Sequence, residues 1–370
     1  MDDQGYFHSF PAVQGFQAGR PFFIAMCPLR MVPKLFVFDE EEVPAELRAQ
    51  RTLNRGRVPA ISHYLVAHPS SYVLSALTAS VDGQVRFLPF DKEKSSSLGI
   101  LEIPMDAKIL INDGQHRRAA IEEAIKESPS LGQDNVPVLF FGDEGLGRSQ
   151  QMFADLNKYA VRPSYSLSTL YDQRDPSSEL ARYLAAECRA FKGLTEMEKS
   201  TISNRSVKLF TLSSIKHASR ALLRKNLKDD VTPGERMVAK EFWDVLSDQI
   251  PDWQRARTRD VATAELRQEF VHAHGVTLQA LALAGAEVLS QRQKSWKKDL
   301  QALRKIDWAR SNASIWEGRA MTHGRISKAA TNVHLAANYI KSVLSLPLSP
   351  EDLALEALLP PKQRITESRK

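Results

Sequence analysis

Cysteine is scarce: Cys27 and Cys188 are the two in 370 residues. They lie far apart, with no CxxC pair and no Cys/His spacing suited to zinc, which argues against a zinc module and a disulfide scaffold. Free cysteines in this number fit a reducing, cytoplasmic compartment. Long apolar runs are lacking too. The most apolar early stretch, Pro21 to Phe38, is broken by Pro28, Arg30, Pro33 and Lys34, short of the roughly 20 apolar residues that span a bilayer. The start, Met1-Asp2-Asp3-Gln4, is acidic and polar, unlike a secretory signal. There is no P-loop, no internal repeat and no low-complexity tract. His272 and His274 are two apart and do not share a helix face, so no metal site is expected.

What is present is an ordinary globular composition, with 43% hydrophobic and 25% charged residues. The length allows two domains of roughly 100–200 residues each. The net charge of +6 permits a nucleic-acid partner, and clustering decides whether one is meant.

The pattern divides the chain. Phe22–Cys27 and Lys34–Phe38 read as strands joined by a Pro-containing turn, and Pro44 marks a helix start. Arg57–Leu65 reads as a helix. Tyr72–Ser80 and Val85–Phe90 read as a hairpin about Asp82-Gly83. Leu98–Ile103, Lys108–Ile111 and Val136–Phe141 are further strands, and Gln150–Lys158 is a helix. Beyond about residue 175 strand signals nearly vanish. Helical patterns cover Ser177–Phe191, Leu212–Leu227, Pro233–Ser247, Ala262–Leu289, Lys294–Trp308 and Ile326–Leu344, and all five tryptophans fall here. The reading is an α+β domain over 1–175, a helical domain for DNA binding or interaction over 176–360, and a polar tail over 361–370.

One turn carries the most chemistry. The apolar run Lys108–Ile111 ends in Asn112-Asp113-Gly114-Gln115-His116-Arg117-Arg118, and helical spacing follows at Ala120, Ile121, Ala124 and Ile125 up to Ser128-Pro129. Helix N-termini offer unpaired N–H groups and partial positive charge. With Asp113 as cap, Gly114 for the turn and Arg117 as the fork-shaped donor, the site suits an anion, most simply phosphate. The alternative is a capped helix with a solvated Arg pair. Val81–Arg86 also holds Asp-Gly-Gln but sits among alternating apolar residues, a hairpin turn without function.

The second feature is a basic stretch. Lys192, Lys199, Arg205, Lys208, Lys216, Arg220, Arg224, Lys225 and Lys228 face only Glu196 and Glu198, with Ser and Thr interleaved. Lys216, Arg220, Arg224 and Lys228 recur every four residues, which predicts a cationic stripe on one helix face. It is a DNA-backbone surface or a solvated face; the near absence of acids favours DNA. Two lesser clusters are Arg292–Lys305, read as a solvated face, and the Gly/Arg loop Gly318–Ser327, which holds an anion or merely connects helices. Cys27 reads as a small buried hydrophobe, with a sulfur- or redox-sensitive role as the minor alternative.

Asp113-Gly114-Gln115-His116-Arg117 resembles the motif that names the DGQHR-domain family, and the likeness continues into Ala120-Ile121. Phe153–Asn157 followed by Val161-Arg162-Pro163 is similar to that family's F-x-x-x-N segment, and Arg57–Leu65 to its early helix. Length and the added helical half resemble its DndB branch. The family is related to the ParB/sulfiredoxin fold, so the resemblance implies a ParB/sulfiredoxin-like mixed sheet. Sulfiredoxins place a catalytic Cys where Gln115 stands, so sulfinic-acid reduction is not expected. The resemblance implies a bacterial, DNA-binding repressor of a DNA phosphorothioation operon. Its expected partners are its own promoter duplex and the modification proteins, and it is expected as a homo-oligomer without a membrane. The alternative it raises is a nucleotide-binding or weakly NTP-hydrolysing component, with ATP or CTP held by Asp113–Arg117, Asn157 and Arg162 and no catalytic residue assigned.

Overall fold

The computed structural model describes residues 6–36, 55–91, 95–142, 152, 155–156, 163–226 and 229–365. The chain divides into two compact units, 1–161 and 162–370. The fold is α+β, as its sequence pattern predicts: a mixed sheet in the first unit and mostly helices in the second.

The first unit is built on seven strands: β1 (Phe7–Gln17), β2 (Arg20–Pro28), β3 (Leu77–Asp82), β4 (Arg86–Asp91), β5 (Ser95–Pro104), β6 (Lys108–Asp113) and β7 (Asn135–Gly142). Their order is β4-β5-β1-β2-β7-β3-β6. All neighbours are antiparallel except β3 and β7, where Leu77 pairs with Val138 and Ala79 with Phe140. Helices α1 (Val32–Leu35), α2 (Val58–Ala67) and α3 (Gln115–Glu127) accompany the sheet. The core is made by alternate strand residues, Phe10, Phe23, Cys27, Val138 and Phe140, together with Leu65 of α2 and Ile121 of α3. Phe140 lies between the rings of Phe10 and Phe36, at 6.1 and 6.3 Å. Aromatic pairs at such separations add to the area they bury.

Three expectations are corrected here. Lys34–Phe38 does not start as a strand: Pro33 lacks the N–H that a ladder needs and instead opens α1. The strand expected over Tyr72–Ser80 begins only at Leu77. Asp82-Gly83 does not close a hairpin, because β3 pairs with β6 and β7 while β4 pairs with β5. For β3 and β4 alternation showed the extended stretch but not the edge that it would meet. β1 itself was not anticipated. The Pro44 helix start and nearly all of Gln150–Lys158 lie outside the described residues.

The second unit contains α4 (Tyr165–Tyr171), α5 (Pro176–Glu187), α6 (Leu212–Leu222), α7 (Pro233–Ser247), α8 (Pro251–Thr258), α9 (Thr263–Glu269), α10 (Gly275–Gln291), α11 (Trp296–Asp299), α12 (Ala313–Trp316), α13 (Ala330–Val343) and α14 (Pro350–Glu356). Pro233–Ser247 begins where Pro at the first helical position and the Thr232/Glu235 capping box require it. Helix α10 is apolar nearly all round, from Val276 to Val288, as a helix at the centre of a core should be. Its main packing partners are α6 and α13. The helix expected over Ala262–Leu289 is broken at Phe270–His274, whose backbone pairs elsewhere: Val271 N–H donates to Trp308 O at 2.9 Å and Arg310 N–H to Glu269 O at 2.7 Å. Lys294–Trp308 holds only the short α11 and a 3-10 turn over Leu300–Lys305. Among the described residues no helix is long and apolar enough to cross a membrane.

Candidate functional site

The turn at 113–117 is placed as predicted, between β6 and α3, but its side chains are used differently. Gly114 sits in the left-handed region at φ 112° and precedes α3, which has no side-chain cap. A Cβ there would come within 2.4 Å of Leu77 Cδ2, so only glycine fits. Asp113 does not cap the helix. Its carboxylate accepts from Arg117 Nη2 at 2.6 Å, one helical turn away. Arg117 Nη1 donates to Ser75 O at 2.8 Å, Ser75 Oγ at 2.5 Å and Ala76 O at 2.7 Å. The guanidinium therefore staples the helix to the segment that leads into β3. Gln115 Nε2 turns back onto Ile111 O at 3.2 Å. Arg118 holds the end of α1 through Phe36 O at 3.0 Å and Pro33 O at 2.9 Å. Burial, reinforced by Arg57, pushes the His116 imidazole below its ordinary pKa, against a smaller pull from Asp113. Asn157 and Arg162 lie outside the described residues.

The basic stretch splits into two groups. Helix α6 ends at Leu222, and Arg224 follows in a left-handed conformation at φ 53°, so the four-residue recurrence draws no continuous stripe. Each member that packs on the body finds its own environment. Lys216 pairs with Asp175, Arg224 with Glu287 at 3.0 Å and Lys225 with Glu235 at 2.7 Å. Arg220 is partly buried, its Nε without a hydrogen-bond partner among the described residues. Lys228 lies outside the described residues. The other group lies on the irregular segment 199–208: Lys199 and Arg205 are exposed, and Lys208 Nζ donates to Gly193 O at 2.9 Å. None of these three has a carboxylate partner among the described residues.

Arg267 of α9 organises that segment from beneath. Its guanidinium donates to the carbonyls of Lys208, Ser203 (2.9 Å) and Ser206 (3.3 Å). Arg310 in turn donates to the carbonyls of Gln268 and Gly324, both at 3.0 Å. Both guanidiniums meet carbonyls rather than carboxylates, so their charge persists locally. Sequence reading missed Arg267, Arg310 and the exposed Lys328, because they come from three separate elements and share no spacing.

The remaining candidates are structural. Arg319, in the Gly/Arg loop, is buried in a two-pronged pair with Glu356 at 2.7 and 2.8 Å. His272 lies between Trp253 Nε1, at 3.2 Å, and Asp252, at 3.3 Å, while His274 faces Arg267 O at 2.8 Å. Among the described residues no group of three or more His, Cys, Asp or Glu is placed to hold a metal. Cys27 is fully buried, and burial pushes its thiol up to about 12, which disfavours the reactive thiolate.

No curated protein and no solved structure matches the chain. The ParB/sulfiredoxin-like sheet is an expectation drawn from the turn sequence alone. A family model described as DndB, DNA-sulfur modification-associated, matches residues 10–347, which takes in the sheet, the turn at 113–117 and most of the helical unit. The chain belongs to the DndB family of DNA-sulfur modification-associated proteins.

Proposed function

We propose that the chain is a DNA-binding transcriptional repressor of a DNA phosphorothioation operon and that it grips the duplex backbone with the segment 199–208. The observation that carries this reading is the pair of exposed, carboxylate-free cations Lys199 and Arg205, set among Ser203, Asn204 and Ser206. Cations and hydroxyls of this kind position a protein on phosphates, and the charge accounts for salt-dependent affinity. Membership of a DNA-sulfur modification family supports the setting. Modification proteins are the partners it would act beside, and two-fold operators would suit a homo-oligomer. In the alternative reading, ATP or CTP at the turn, Arg117 would have to leave Asp113 and Ser75 to receive a phosphate.

A gel-shift series against the operon's own upstream DNA, at several salt concentrations, tests the placement. Lys199→Ala with Arg205→Ala is expected to weaken binding and to lower the salt slope by about one for each phosphate that is no longer neutralised. Lys216→Ala, Arg224→Ala and Lys225→Ala are expected to bind nearly as the wild type, since carboxylates already neutralise those cations. Absence of duplex binding by the folded wild type would sink the proposal. Greater damage from the second set than from the first would move the DNA-binding surface to α6 and the turn that follows it.

A further inference from the structure

A cavity of about 370 Å³ lies in the second unit, between the segment 200–204 and the start of α10. It adjoins another of about 270 Å³, and the two share Ser200, Thr211, Ser214, Gly275 and Lys328. Among the described residues neither wall contains an aspartate or a glutamate. A third cavity, beside α13 and α14, is of the ordinary kind: Glu287, Glu351 and Asp352 balance Arg224 and Lys341. The acid-free cavity instead collects Arg267, Arg310 and Lys328, none of which has a carboxylate partner among the described residues.

Arg267 is the most telling of the three. It is only 9% exposed, yet its partners are neutral carbonyls. A buried charge without a counterion is costly, so a matching anion would bind with a large electrostatic return. Two helix N-termini open on the same space: α6, preceded by Thr211, and α10, preceded by His274. Their dipoles favour negative charge there. Ser200 and Ser214 line both cavities; the Ser200 hydroxyl accepts from Tyr165 N–H at 3.1 Å and the Ser214 hydroxyl donates to Thr211 O at 2.7 Å.

We propose that this cavity binds a phosphomonoester, carried by a free nucleotide or by the 5′ end of a nucleic-acid strand. The site is concave, whereas the diester backbone of a duplex continues in both directions and suits an open surface. A dianion matches a wall that holds several uncompensated cations. The combined space falls in the range of small-molecule sites. Tyr165, Val276 and Val333 give the smaller cavity an apolar side for the rest of the ligand. The proposal stands on the cavity and does not depend on duplex binding by 199–208.

Isothermal titration of the full chain tests it with five probes: inorganic phosphate, a nucleoside 5′-monophosphate, the parent nucleoside, and one short single strand with and without a 5′-phosphate. The monophosphate or the phosphorylated strand is expected to bind, and its counterpart without phosphate to bind at least tenfold more weakly. Lys328→Gln, an exposed change that leaves the fold intact, is expected to weaken phosphate-dependent binding about tenfold. Ser214→Ala is expected to weaken it less. Preference for the monophosphate identifies a nucleotide as the source, and preference for the strand identifies a strand end. No saturable binding of any phosphate-bearing probe overturns the proposal. So does equal binding with and without phosphate, or full affinity in both variants. Lys328→Gln is expected to keep its duplex gel shift. Loss of phosphate binding by the wild type with duplex binding intact defeats the cavity alone; the reverse defeats the duplex reading alone.

Discussion

Arg117 illustrates how a functional-looking side chain can be consumed by the fold. Its two terminal nitrogens meet Asp113, Ser75 and Ala76, and its side chain is only 17% exposed. The pentapeptide was legible in the sequence as a strand–turn–helix junction, and the need for glycine at 114 was legible with it. The pairing of Arg117 with Asp113 was not, because a cap and an i,i+4 ion pair use the same carboxylate at nearly the same spacing. Arg117→Ala should leave the carbonyls of Ser75 and Ala76 without their donor. The expected loss is about 2–3 kcal/mol in the unfolding transition of the first unit, measured by urea denaturation followed by circular dichroism. A loss below about 0.5 kcal/mol, the scale of an exposed pair, would mean that the staple is not holding β3 to α3.

At the scale of elements, local chemistry set the beginnings of helices better than their continuity. The helix that starts at Pro233 was readable from the sequence, and so was the one read over Arg57–Leu65, which the structure places at Val58–Ala67. The break at Phe270–His274 was not, because its cause lies in the distant segment 308–310 that claims the backbone hydrogen bonds. The acid-free cavity was illegible for the same reason: residues 200, 214, 267, 310 and 328 meet only when five separate segments have packed. Helix α10 gives a test in which two effects oppose. Gly285→Ala gains about 1 kcal/mol of helix propensity. Its Cβ, however, would come within 2.2 Å of Phe242 Cζ, and α10 has no free side to shift toward. Overpacking in a closed core costs about 1–3 kcal/mol, so the variant should melt below the wild type. A higher melting temperature would show that the Phe242 ring swings away freely.

For the whole molecule, pH should reveal the cationic cavity as a stability signal. Burial, with Arg310, Lys328 and Arg267 adding to it, lowers the His274 imidazole to about 4, against a hydrogen bond to the Arg267 carbonyl that pulls the other way. In the unfolded chain a histidine titrates near 6.5. Its neutral form is thus favoured by folding, and that stability is complete above about pH 6.5. It is lost as pH falls from 6.5 toward 4, because the unfolded state takes up the proton first. His116 and His217 are shifted the same way, so their contributions also begin to fall as pH drops below about 6.5. Carboxylates such as Asp252, held down chiefly by its hydrogen bond to His272, lose their contribution only at lower pH. The melting temperature should therefore fall between pH 6.5 and 4.5, and His274→Asn should flatten part of that slope. Identical slopes for the two proteins would remove His274 from the account.

The burial of both cysteines also determines how the chain can be handled at the bench. Cys27 and Cys188 are each 0% exposed, and burial is the first cause that raises both thiols, with Asp244 adding to it for Cys188. A thiol reagent such as 5,5′-dithiobis(2-nitrobenzoate) should register almost no reactive groups in the native protein and two after denaturation; prompt labelling of the native chain would contradict this. A cysteine introduced at an exposed position such as Lys199 would then be the one site that takes a dye. Fluorescence could follow the segment 199–208 without first removing the native thiols.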